Sequence, residues 1–124
     1  MSACPEPRFD LPASKRIRQS RDFARARKEG RRVVMGCLIA NWFQLPAGSS
    51  SRVGVITSRT VGPAVDRNRG RRLLRESFRL HQHDLKFPVD LVLVARNSIR
   101  GRKRQQVESD LVKALRQAGL WKNT

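Results

Sequence analysis

Six arginines fall within the thirteen residues Arg67 to Arg79, RNRGRRLLRESFR, with Glu76 the single acid among them. A guanidinium is a planar fork of donors that pairs with phosphate in a bidentate way and stacks on bases. The chemistry this spacing offers is therefore polyanion binding. Hydrolytic chemistry would need paired carboxylates holding a metal, or a His/Lys set. The ten acids are scattered singly, and the one compact cluster of ligand types is His81, His83 and Asp84. These stand at i, i+2 and i+3, and side chains two apart diverge on a helix. They read as the polar end of a helix, not as a catalytic or metal site, so no catalytic residue is assigned. Cys4 and Cys37 are too few and too far apart for a metal cluster. Cys37, in an apolar run, reads as a buried thiol.

The rest of the composition points the same way. A chain of 124 residues, 39% hydrophobic, can build one domain with a modest core. Its formal charge is +17, and 21 of its 27 basic residues are arginine. Self-repulsion on that scale opposes compactness, and a nucleic acid relieves it. No stretch approaches ~18 consecutive apolar residues, and the N-terminus lacks the pattern of a secretory signal. A cytoplasmic location with no membrane contact is expected.

The elements that must position the arginines can be read from turn signals and periodicity. Residues 1–13, with three prolines, read as an extended leader before a single domain over 14–124. Ser20 suits a helix N-cap, and the helix runs to Gly30 as its C′ glycine. The stretches 36–45 and 52–58 read as two strands of a hairpin around the loop PAGSSS. Gly62 and Pro63 turn the chain into a helix from Ala64 to about His83. VDLVLVA, 89–95, reads as a buried strand. In the last helix Val107, Leu111, Leu115 and Ala118 share a face that Gly119 ends. The expectation is an α+β domain in the order α-β-β-α-β-α, with helices on a small mixed sheet of about four strands.

On the central helix, at about 100° per residue, Leu73, Leu74, Phe78 and Leu80 share one arc with Gly70 and Ser77. Arg67, Asn68, Arg71, Arg72, Arg75 and Arg79 share the other, with Arg69 between. A solvated charged face would alternate sign at i+4; here only Glu76 with Arg72 does so. The arginine face is shaped to meet phosphate. A DNA-reading helix would mix in Gln, Ser or Thr to read base edges. A ribosomal or RNA-chaperone protein that binds RNA without enzymatic activity would use the same phosphate contacts, and composition alone does not separate it.

RVGVITSRTVGPAVDRNRGRRLLRESFRLHQHDL followed by VDLVLVA resembles the bacterial ribonuclease P protein subunit, and the likeness runs from about Arg16 to Leu120. Arg67-Asn68-Arg69, the continuation Arg71-Arg72-Leu73-Leu74-Arg75 and the upstream Gly54 carry it. The resemblance implies a ribonucleoprotein endonuclease of tRNA processing, with its catalytic centre in RNA and a protein inactive alone. It implies a left-handed β-α-β crossover of a ribosomal-protein type, against the general right-handed preference. Arg67, Asn68, Arg69, Arg71, Arg72, Arg75 and Arg79 would contact the catalytic RNA, with Asn68 near magnesium. The 5′ leader of precursor tRNA would lie in a cleft between the sheet and the first helix. Phe23, Arg27, Arg59 and Asn41 or Trp42 would contact it, the register of the last two being open. No organic cofactor or obligate protein partner is implied. Three positions depart from the family pattern: Arg27 replaces a second aromatic, Thr60 a lysine, and Gly70 an aliphatic.

Overall fold

The computed structural model describes residues 15–122, so the expected leader at 1–13 and Cys4 lie outside the described residues. The chain forms α1 (Ser20–Lys28), β1 (Arg31–Met35), β2 (Leu38–Gln44), β3 (Arg52–Ile56), α2 (Ala64–His81), β4 (Val89–Ala95) and α3 (Arg104–Ala118). One mixed sheet runs in the order β1-β2-β4-β3, with β3 parallel to β4 and the other pairs antiparallel.

β4 takes a central place because almost every residue of it is apolar and can be buried on both faces. Val89, Leu91, Leu93 and Ala95 join the main core under α2 and α3, with Leu38, Ala40, Trp42, Leu74, Phe78 and Leu111. Val92 turns to the other face and packs with Ile17 and Ala26 beneath α1, where Phe23, Phe43, Ile56 and Val94 complete a smaller cluster. The last helix follows its expected face, and Gly119 ends it at φ 77°, in the left-handed region.

Two expectations are corrected. The element order is α-β-β-β-α-β-α, because 31–35 is a strand that its two leading arginines conceal; Val33 alone points fully into the core. The hairpin is accordingly β1–β2, turned by Gly36 and Cys37 with Gly36 at φ 55°, where a two-residue loop favours glycine. The strands at 38–44 and 52–56 do not pair with each other, for β4 lies between them. The loop 45–51 has only to cross about 10 Å, two strand spacings, which seven residues do easily.

The ends of α1 also differ. Gln19 occupies the N-cap without a side-chain bond, and Ser20 is the first helical residue. Gly30 follows the helix but is not left-handed. It is needed for space: a Cβ there would sit 2.1 Å from the Trp42 carbonyl oxygen and 2.3 Å from that of Ala26. Gly70 has no such need, since a Cβ would meet Ile99 at 3.6 Å, an ordinary contact.

Candidate nucleic-acid interface

α2 buries Gly70, Leu74, Ser77 and Phe78 and turns its arginines outward, as periodicity requires. The wall is not uniform. Arg67 donates to the Gly62 carbonyl at 2.9 Å and so braces the turn that starts the helix. Arg69 donates to the Arg102 carbonyl, tying α2 to the segment before α3. Arg71 donates to the Asn68 carboxamide oxygen. Glu76 pairs with Arg79 and not with the expected Arg72, so Arg79 is the one member of the wall neutralised by a neighbour on the helix. The hydrogen bond from Arg79 holds the Glu76 carboxyl below its ordinary range. Arg72 and Arg75 make no hydrogen bond or ion pair among the described residues. Burial, and after it the like charges of Arg16 and Arg71, lower the Arg75 pKa.

The second surface is the sheet face beneath α1. Strand alternation places Asn41 and Phe43 there and sends Trp42 to the opposite face, into the main core. Trp42 is therefore not brought to the cleft, and Asn41, though on the cleft face, is only 5% exposed. Phe23 lies half-buried against β3, and a Cβ on Gly54 would come within 2.4 Å of its ring. Gly54 is thus the seat of the Phe23 ring. Beyond α1 the face stays open along one cross-strand row, Val34, Ile39, Val94 and Ile56, with Val34 47% exposed. Arg27 and Arg59 are exposed, on α1 and on the short turn after β3. Arg16, bridged to Val53 and close enough to Arg75 to perturb it, stands at the β3 edge where the two surfaces meet.

An ion network that the sequence does not announce fixes α1 on this face. Asp90, fully buried in β4, accepts from Arg52 Nε at 2.9 Å and Nη2 at 2.7 Å, and from Arg25 Nη2 at 3.0 Å. Asp22 adds longer pairs to both arginines, and Arg25 lies 4.7 Å over the Phe43 ring. The available signal was one acid inside an otherwise apolar strand, since a buried carboxylate demands cationic partners.

The cluster at the end of α2 is structural. His81 meets Asp84 at 3.1 Å and Glu108 at 3.2 Å and lies tilted 5.5 Å from Trp121, joining α2 to α3. The Cys37 thiol is buried, and desolvation, followed by the Asp110 hydrogen bond, pushes its pKa up to about 12. Among the described residues no three His, Cys, Asp or Glu side chains group to hold a metal, and no helix is long and apolar enough to cross a membrane. Magnesium retains water and takes one or two protein oxygens beside phosphates. Asn68 offers one such oxygen, which accepts a hydrogen bond from Arg71.

The family model described as Ribonuclease P matches residues 11–119. The ribonuclease P protein component of Clostridium novyi is 34% identical over 112 residues, covering 90% of this chain and 99% of that protein. That of Desulfatibacillum aliphaticivorans is 40% identical over 90 residues, covering 73% and 75%. The solved RNase P protein of Staphylococcus aureus superposes with a TM-score of 0.78 at 26% identity, over 86% of this chain and 97% of that one.

Proposed function

From the premise that the chain belongs to the ribonuclease P protein family, as a protein component of that endoribonuclease and a partner of its RNA, we propose a division of labour between its two surfaces. The arginine face of α2 binds the backbone of the catalytic RNA through Arg67, Asn68, Arg69, Arg71, Arg72 and Arg75. Arg79 joins once phosphate competes with Glu76. The cleft between α1 and the sheet takes the single-stranded 5′ leader of precursor tRNA. Phe23 offers stacking there, the open apolar row offers aliphatic packing, and Arg27 and Arg59 offer charge. The protein has no hydrolytic activity of its own. It lowers the magnesium that the RNA needs, because cations on α2 share the neutralisation of crowded phosphates. Magnesium, when bound, supplies the activated water and charge stabilisation of the cleavage step.

The carrying observation is the row of cations on α2 that have no counter-charge among the described residues, Arg72 and Arg75 above all. The expected result is restored 5′ cleavage at low magnesium when protein is added to transcribed ribonuclease P RNA and precursor tRNA, with none from protein freed of RNA. Specific cleavage by the RNA-free protein, or an unchanged magnesium requirement, would refute the proposal.

Phe23→Ala tests the cleft. Removing a stacking partner should weaken precursor tRNA binding to the assembled enzyme by about 1–3 kcal/mol, with mature tRNA little affected. The ring also packs on Gly54, so the fold should be checked by denaturant midpoint in parallel. Equal weakening for both tRNAs would place the leader elsewhere.

A further inference from the structure

A cavity of about 600 Å³ opens between the outer side of α2 and the start of α3, in the size range of small-ligand sites. Its apolar lining is Val65 and Leu73, and Arg69, Arg72 and Arg104 stand around it. Val65, in the first turn of α2, is 71% exposed, which leaves an unpartnered apolar surface inside a ring of guanidiniums. Two of the three arginines are already held in place, Arg69 by the Arg102 carbonyl and Arg104 by Glu108. Arg72 makes no hydrogen bond or ion pair among the described residues. Asp66 and Glu76 complete the lining, each anchored by an arginine, Arg100 and Arg79 respectively.

This combination matches the parts of one nucleotide. Guanidiniums suit its phosphate, aliphatic side chains suit the face of its base, and carboxylates accept from exocyclic amines. A paired base keeps its faces stacked and its edge engaged, so the occupant must be unpaired. We propose that this cavity takes a single unpaired nucleotide of the ribonuclease P RNA that carries an exocyclic amine. Its phosphate meets Arg72 and Arg69, and its base lies on Val65 and Leu73. This rests on the reading of α2 as the RNA-binding helix and adds a base-recognition site to its phosphate contacts.

The test uses the full chain and transcribed ribonuclease P RNA, reading dissociation constants at fixed salt and 2′-hydroxyl acylation of the RNA. Val65→Glu should fold normally, since the position is exposed and an acid suits a helix N-terminus. It should weaken binding about tenfold, the scale of one base losing its platform, and erase the reactivity change at one unpaired nucleotide. Arg72→Ala should erase the same change. Ser109→Glu adds equal charge on the exposed side of α3 and should do neither. If Val65→Glu matches Ser109→Glu in affinity, or leaves the acylation pattern of the wild type, the nucleotide site is wrong. If Arg71→Ala weakens binding in that same experiment, the RNA-binding reading of α2 survives the loss of the site. If Arg71→Ala is also without effect, both fail.

Discussion

Asp90→Ala is expected to destabilise the folded protein by about 1–3 kcal/mol, because the half-buried guanidiniums of Arg25 and Arg52 lose their hydrogen bonds to a shared, fully buried counter-charge. Asp90 is 0% exposed and receives three hydrogen bonds from Arg25 and Arg52. Without it the two guanidiniums face each other with only Asp22 between them, at 3.5 and 3.6 Å. The Arg25 Nε is already buried without a hydrogen-bond partner, so that site has little slack. The damage should be local first. Arg25 is one of the contacts that hold α1 on β4, beside the packing of Ala26 on Val92, so the amides of α1 should lose exchange protection before those of α2 and α3. Replacing the whole network by Asp90→Leu, Arg25→Met and Arg52→Met should recover much of the stability, since apolar packing has no charge to desolvate. A denaturant midpoint shift worth less than about 1 kcal/mol for Asp90→Ala would show that water reaches these charges and that α1 is held by its apolar contacts alone. The same variant bears on function, for the leader cleft exists only while α1 stays seated on the sheet.

How much of this was legible in the sequence depended on how each signal is encoded. The helices were readable because Leu74 and Phe78, and Val107, Leu111 and Leu115, recur at helical spacing and are all buried. VDLVLVA was readable as a buried strand because it has almost no polar face. β1 was not, since five residues opening with two arginines carry too short an alternation to register. The pairing order was not legible either: a local hairpin is the default for neighbouring strands, and only long-range burial of β4 places it between β2 and β3. For the site, arginine spacing revealed which residues face outward but not which are occupied. Arg67 and Arg69 have partners in the carbonyls of Gly62 and Arg102, contacts made by turns and loops that periodicity does not describe, while Arg79 pairs with Glu76 at i,i+3 spacing within the helix. The choice between Asn41 and Trp42 needed strand register, and register sends Trp42 into the core.

Those occupied arginines determine which variants isolate RNA binding. Arg67→Ala would also remove a brace at the start of α2, so the informative pair is Arg71 and Arg75, one turn apart and mutually repelling. Arg71→Ala with Arg75→Ala should leave folding stability within about 0.5 kcal/mol of the wild type, as for exposed sites, with relief of repulsion favouring the variant. Affinity for ribonuclease P RNA should fall by roughly one to two orders of magnitude near physiological salt. The slope of log affinity against log salt should fall by about 2, one for each phosphate that no longer meets a guanidinium. Leu74→Ala, on the opposite side of the same helix and fully buried, should show the reverse. It should cost about 2–5 kcal/mol of stability, through reduced burial and a cavity between α2 and the sheet. The folded fraction should keep the wild-type salt slope. Denaturant midpoints and salt-dependent binding on the same preparations separate the two faces. Were the double arginine variant to unfold readily while keeping its salt slope, the arginines would serve the fold, and the RNA would have to be bound elsewhere on the chain.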